Sequence, residues 1–236
     1  MTTTTTRYIL GSVLAVGLAT GSGLAGQTAH EQHRPHGQDV DARHMEHSFD
    51  DAERYARSFD DPARDAWQQP ERVIEMLAIQ PDEAVADIGA GTGYFTVRLA
   101  GGSAARTVYA VDVEESMLAY VRARAEREGL DHVVAVQGDA QGPNLPEPVD
   151  VVLIVNTFHH IPDRAQYFAA LKERLNPGAR LAIVDYAKGA AGGGPPDEFR
   201  FTPEEITNQL RRAGFTLRAT HDFLARQSFL VFGVGE

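Results

Sequence analysis

Residues 85–95 read VADIGAGTGYF. The run into Asp87 and Ile88 is short and apolar, the pattern of a strand buried on both faces. Gly89, Gly91 and Gly93 follow at alternate positions, and a helical pattern starts over 93–100. Glycine leaves no side chain between the backbone and a ligand, and the free N–H groups of the next helix favour negative charge. The spacing from Asp87 is D-x-G-x-G-x-G rather than the G-x-G-x-x-G of dinucleotide-binding turns.

Working outward, strand-length apolar runs alternate with helical patterns. AVADI (84–88), TVYAV (107–111), VVAV (133–136), DVVLIV (150–155) and RLAIVDY (180–186) read as strands; 115–128, 163–175 and 203–213 read as helices. This alternation predicts an α/β, Rossmann-like doubly wound sheet with five parallel strands. FTLRATHDF and SFLVFGV at the C-terminus are joined by only a few residues around 225–227. A parallel crossover needs about a dozen, so these two strands close the sheet as an antiparallel hairpin, seven strands in all. GAAGGGPP (189–196) reads as a flexible loop long enough to act as a lid.

The strand ends carry the polar residues. VYAVD ends in Asp112, where a carboxylate is placed to accept both hydroxyls of a ribose; its other reading is a cap for the helix opened by DVEES. QGDA (137–140) sets Asp139 to meet an adenine amino group, or leaves it a solvated loop acid. NTFHHIPD (156–163) brings Asn156, His159 and His160 to the tip of the fourth strand.

With DIGAGTG, HH after the fourth strand and LNPGARL (175–181), the chain resembles the class I S-adenosylmethionine-dependent methyltransferases, in their small-molecule branch. The resemblance covers roughly residues 70–235. It implies S-adenosylmethionine as cofactor, with Asp87, Gly89, Ala90, Gly91 and Gly93 around its methionine part. Asp112 would take the ribose, Asp139 would sit near the adenine, and Gly138 and Ala140 would flank the ring. Val113 and Asn156 complete the cofactor-binding set. FDDPARDAW (59–67) resembles the helical cap that folds over the cofactor in some relatives, Trp67 either lining the site or packing in the core. Methyl transfer to a hydroxyl needs a base, and His159 or His160 is the candidate because imidazole titrates near neutral pH. Asn156 hydrogen-bonds but takes no proton at pH 7. It is not followed by the Pro-Pro-Tyr of enzymes that methylate exocyclic amines, which disfavours nucleic-acid and protein-amide substrates and points to a small-molecule acceptor.

Composition narrows the field. The chain has 236 residues, a net charge of −11 and no cysteine. Acidity argues against nucleic-acid binding, and the missing thiols exclude disulfides, Cys-ligated zinc and thiol nucleophiles. Arg7 followed by an uncharged, small-residue-rich stretch over 8–25 reads as a secretory signal, too diluted by glycine for a permanent membrane span. The expected organisation is a signal peptide over 1–26, a His-rich disordered linker over 27–49, a helical cap over 50–80 and the methyltransferase domain over 81–236. Export to a periplasm sits awkwardly with a cofactor made in the cytosol. The alternatives are therefore a cytoplasmic protein whose signal is not functional, and an exported, non-catalytic SAM-like or metal-binding protein on a methyltransferase fold. A nicotinamide-dependent oxidoreductase is a further alternative, weakened by the glycine spacing and the terminal hairpin. No metal site is assigned.

Overall fold

The computed structural model describes residues 43–45 and 47–234. The strands are β1 (Ala84–Ile88), β2 (Thr107–Asp112), β3 (Val133–Gln137), β4 (Val149–Val155), β5 (Leu175–Tyr186), β6 (Phe215–His221) and β7 (Gln227–Val234). They form one sheet in the order β3-β2-β1-β4-β5-β7-β6. The first five run parallel, and β7 pairs antiparallel with both β5 and β6. The five-plus-hairpin arrangement expected from loop length is the one the chain adopts.

Successive residues of β4 explain why its sequence is continuously apolar from Val151 to Val155. Val152 and Ile154 join a core with Phe158, Phe168, Leu210 and Phe232. Val151, Leu153 and Val155 join a second core with Leu77, Phe95, Leu99 and Phe229. Both faces of the sheet are covered there, so no position from Val151 to Val155 is free to be polar. The helices are α1 (Ala52–Phe59), α2 (Ala63–Gln68), α3 (Pro70–Leu77), α4 (Tyr94–Gly102), α5 (Glu115–Glu128), α6 (Arg164–Lys172) and α7 (Pro203–Arg212). Local chemistry sets their ends. Asp51 caps α1 and Asp163 caps α6, and Thr202 with Glu205 forms a capping box ahead of Pro203. Among the described residues no helix is long and apolar enough to cross a membrane.

Three expectations need correction. The helix expected to reach residue 175 ends at Lys172, and β5 starts at Leu175. Asn-Pro-Gly at 176–178 looks like a turn, yet Leu175 pairs with Val149 and Asn176 donates to Asp150 Oδ1 at 2.7 Å. Second, the glycine-rich loop is pinned. Buried Arg200 donates to the carbonyls of Pro195, Ala190 and Gly193 at 2.8, 2.6 and 3.2 Å, which makes the loop a wall of the cleft rather than a lid. Third, a linker running to residue 49 does not describe its last part. Met45 N–H donates to His159 O at 2.7 Å, and Arg164 donates to Arg43 O at 2.7 Å. Phe49 N–H donates to Glu114 Oε1 at 3.1 Å. The described part of 43–49 is thus tied across the mouth of the cleft. The expected signal over 1–26, and His30, His33 and His36, lie outside the described residues.

Candidate active site

Strand order reverses between β1 and β4, and open α/β sheets bind ligands beyond the carboxyl ends of strands at such a point. A cavity of about 1080 Å³ lies there, lined by the glycine turn, the tips of β2 to β5, the 43–49 segment and the cap helices. Pockets for a single small ligand run to roughly 300–1,000 Å³, so this one has room for a cofactor and a second reactant.

The turn after β1 is built from glycine for two separate reasons. Gly89 has φ +74°, and a Cβ there would lie 2.1 Å from Thr157 Oγ1, so the turn packs directly on the segment after β4. Gly91 has φ +56°, and a Cβ there would point toward the Phe59 ring of α1 at 3.4 Å, into the space between turn and cap. The turn's N–H groups are spoken for. Gly89 and Ala90 donate to Val111 O at 2.8 and 3.0 Å, and Gly91 donates to Asp112 Oδ2 at 2.8 Å. Gly93 opens α4.

Asp112 is held at the tip of β2 by that bond and by Glu114 N–H, which donates to Oδ1 at 3.0 Å. Burial raises its carboxyl pKa against the pull of these two bonds. The carboxylate stands ahead of α5, whose capping position is Glu114 and carries no side-chain cap; Oδ2 meets the glycine turn and Oδ1 meets the Glu114 N–H. Beside it Val113 is 59% exposed, an apolar surface open to the cavity. Asp139, Gly138 and Ala140 line the cavity as well. The Asp139 carboxylate is fully exposed and curls onto its own loop, accepting from Asn144 Nδ2 at 3.1 Å and from Gln141 and Gly142 N–H at 2.7 and 3.1 Å. The Asn144 bond and the two backbone bonds hold it below the usual carboxylate range.

Asp87 is buried at the start of the turn, and Thr96 Oγ1 donates to its Oδ2 at 2.7 Å. Burial pushes its pKa up to about 6, partly countered by that hydroxyl and by Arg64. Arg64, on α2, faces the cavity. It donates to Phe59 O at 2.7 Å and Gln68 Oε1 at 3.1 Å and lies 3.8 Å from the centroid of the Tyr94 ring. Among the described residues no carboxylate comes within ion-pair distance of it, and burial lowers its pKa. A desolvated cation with spare donors facing a cavity suits a carboxylate. Asn156 sits in the left-handed region at φ +54°, which Asn tolerates better than most residues. Its Oδ1 accepts from Gln227 Nε2 at 2.7 Å, and Gln227 Oε1 accepts from Gln68 Nε2 at 2.7 Å. This buried amide relay ties the cap to β7 and to the tip of β4.

The two histidines differ sharply. His159 is 3% exposed and lies on Asp185, the acid near the end of β5. Its Nδ1 is 2.8 Å from Asp185 Oδ1 and 3.0 Å from Oδ2, and its backbone N–H donates to Oδ2 at 3.1 Å. A carboxylate only accepts, so Nδ1 carries a proton, and in the neutral ring Nε2 is the nitrogen with the lone pair. The residue also lines the cavity. His160 Nδ1 donates to Met45 O at 2.8 Å, and the ring meets Phe49 edge-on at 5.4 Å. Burial first, then neighbouring His159, push its pKa down to about 4. Asp185 was not among the residues singled out from sequence; an acid near the end of a fifth strand was its only signal. Trp67 lies on the cavity wall, its ring 6.0 Å from that of Tyr186. Among the described residues no group of three or more His, Cys, Asp or Glu is arranged to hold a metal.

The site suits an adenosyl cofactor. An acid at the tip of β2, an apolar surface at Val113 and Ala140, a side-chain-free turn and a cation by Asp87 share one continuous cavity. A methyltransferase-domain family profile matches residues 85–178. The chain is 29% identical over 142 residues to an uncharacterised methyltransferase of Geobacillus kaustophilus, covering 58% of this chain and 63% of that one. It is 30% identical over 177 residues to a probable chloroplastic tocopherol O-methyltransferase of Oryza sativa subsp. japonica, covering 72% and 47%. The matches thus span less than two thirds of these relatives' length. Among solved structures, a SAM-dependent methyltransferase from Aquifex aeolicus superposes with a TM-score of 0.70 at 27% identity, over 77% of this chain and 97% of that one. None of these similarities supports an oxidoreductase or a non-catalytic binding protein. Residues 85–178 match a methyltransferase domain, and the sequence and fold similarities support an S-adenosylmethionine-dependent methyltransferase.

Proposed function

We propose that this protein moves the methyl group of S-adenosylmethionine to a hydroxyl of a small-molecule acceptor, with His159 as general base and Asp185 as the group that positions it. The observation carrying this reading is the buried His159–Asp185 pair. A nitrogen or thiolate acceptor needs no base of this kind, whereas a neutral hydroxyl does. Asp185 holds the imidazole in the tautomer whose Nε2 accepts a proton, and it stabilises the imidazolium that forms, as in other His–carboxylate pairs. When bound, the cofactor supplies an electrophilic methyl whose bond to sulfur breaks with the electron pair staying on sulfur. Nε2 takes the acceptor's hydroxyl proton as the oxygen–methyl bond forms. His160, neutral and tied to Met45, positions the 43–49 segment and excludes water. Asp112 holds the ribose, and Arg64 pairs with the cofactor's carboxylate. Orientation alone is worth about 7–11 kcal/mol in such a displacement, and the cap, the 43–49 segment and the pinned glycine loop supply the rigid walls for it.

The test is a labelled-methyl assay of the full chain against cell extract, followed by identification of the labelled product. An O-methyl product supports the reading; an N- or S-methyl product refutes the base assignment, and a C-methyl product refutes the hydroxyl acceptor. Export to the periplasm with cleavage near residue 26 is also proposed, from the sequence pattern alone. Fractionation with N-terminal sequencing of the mature protein tests it, and an intact N-terminus in the cytosol overturns it.

A further inference from the structure

We infer that the acceptor is a flat, uncharged phenol, its ring packed on the aromatic lining around His159 and its hydroxyl directed to that base. The inference rests on the methyl-transfer reading above and adds the acceptor's chemical class.

Strand order divides the cavity into two halves. In the sheet β2 and β3 lie on one side of β1, and β4 and β5 on the other. Among the described residues the only Asp, Glu, Lys or Arg side chains lining the cavity are Asp87, Asp112, Asp139 and Arg64. The three acids stand near the carboxyl ends of β1, β2 and β3, and Arg64 packs at 3.8 Å on the ring of Tyr94, which opens α4 after the β1 turn. The other half is lined from the tips of β4 and β5 by Asn156, Thr157, His159, His160 and Tyr186, and none of those four kinds of side chain lines it. Its histidines are engaged. His159 meets Asp185, His160 the Met45 carbonyl and His47 the Tyr55 hydroxyl at 2.9 Å, and His44 is not free either. Asp185 is 3% exposed, lies behind His159 and does not line the cavity. An ionised group on the acceptor would give up water here and meet no counter-charge among the described lining. That cost exceeds what aromatic contact returns.

What this half offers is aromatic surface. The Trp67 and Tyr186 rings lie 6.0 Å apart, inclined by 31°. The His160 ring is 4.3 Å from that of His159 and 5.4 Å from that of Phe49, and Phe59 lies 5.8 Å from Phe49. All six of these rings line the cavity. A planar ring makes face and edge contacts in such surroundings that a saturated body does not, and a hydroxyl on it is the group that needs His159. The phenol oxygen gives its proton to His159 Nε2 and takes the methyl, the sulfur keeps the electron pair of the bond that breaks, and an uncharged aryl methyl ether leaves.

Trp67 is the chain's only tryptophan, so its fluorescence reports on this lining. The full chain, saturated with S-adenosylhomocysteine, is titrated at neutral pH with probes of similar size: para-propylphenol, the anion para-hydroxyphenylacetate, the cation tyramine, and para-propylcyclohexanol, which is uncharged but not flat. Expected is saturable quenching by para-propylphenol, with each of the others at least about tenfold weaker. Trp67→Leu should weaken para-propylphenol by about 3–10-fold in calorimetry, the scale of one aromatic pair. Trp67→Phe should recover part of the loss, and affinity for S-adenosylhomocysteine should stay unchanged in both variants. Tyramine binding as tightly as the phenol would mark cation–π attraction, and para-hydroxyphenylacetate binding as tightly would mark a counter-charge. Either result overturns the inference, as does equal binding of the saturated alcohol, full binding by Trp67→Leu, or no saturable change with para-propylphenol. Failure of S-adenosylhomocysteine itself to bind defeats the methyl-transfer reading instead, so the two failures are distinguishable.

Discussion

Replacing Asp185 with Asn leaves the shape of the dyad intact and removes one proton acceptor. Asp185 Oδ1 takes His159 Nδ1–H at 2.8 Å and Tyr186 N–H at 2.7 Å, while Oδ2 takes His159 N–H at 3.1 Å. An amide has one acceptor oxygen, so in either orientation its NH₂ is turned toward a backbone N–H in a site where residue 185 is 3% exposed. One buried donor is left unpaired, which costs about 1–3 kcal/mol of stability. If the NH₂ also meets Nδ1, the ring proton moves to Nε2 and the base is lost. General-base help is worth about 10²–10⁴-fold, or roughly 2.7–5.5 kcal/mol of barrier. The assay is the initial rate of S-adenosylhomocysteine release at saturating cofactor, with the acceptor identified by methyl labelling. Calorimetric cofactor affinity and a thermal melt run alongside. The variant should lose at least about a hundredfold in rate, keep its cofactor affinity, and melt lower but cooperatively. A rate within about threefold of the parent, in a folded variant, would refute the role of Asp185 and with it the case for a hydroxyl acceptor.

Asp112→Ala should weaken S-adenosylhomocysteine binding by about 1–3 kcal/mol through the loss of buried polar partners, read by calorimetry; unchanged affinity removes Asp112 from the ribose. Gly89→Ala should cost about 2–4 kcal/mol in urea unfolding. It places a Cβ 2.1 Å from Thr157 Oγ1 at φ +74°, adding overpacking to left-handed strain. His160 has its pKa lowered from 6.5 to about 4, so between those values the unfolded chain binds the extra proton. Its contribution is whole above pH 6.5 and is lost as pH falls toward 4. The stability gap between the parent and His160→Gln should therefore narrow over that window by up to about 3 kcal/mol, less in proportion to the water reaching the ring. Urea titrations at a series of pH values measure it, and a constant gap contradicts the buried neutral state.

How much was legible in the sequence follows from what each element depends on. The parallel strands were readable because a strand covered on both faces is apolar where it is buried, as β4 is from Val151 to Val155. The terminal hairpin was readable because its loop is too short for a crossover. The glycine turn and Asp112 were readable because both are local in sequence. What escaped depends on partners far along the chain. Residues 175–179 look like a turn, yet Val149 and Asp150 recruit them into β5. The 43–49 segment has a linker's composition, yet backbone bonds to His159 and His160 hold it on the domain. His159 and His160 are equivalent on paper. What separates them is Asp185 beneath one and the Met45 carbonyl beside the other. The relay from Gln68 through Gln227 to Asn156 joins three parts of the chain that no local pattern connects.

The most direct measurement is a crystal structure of the full chain soaked with S-adenosylhomocysteine. The account predicts density in the cavity over the glycine turn, with the ribose hydroxyls on the Asp112 carboxylate and the sulfur on the side facing His159. Density elsewhere on the protein, or a ribose without contact to Asp112, would contradict it.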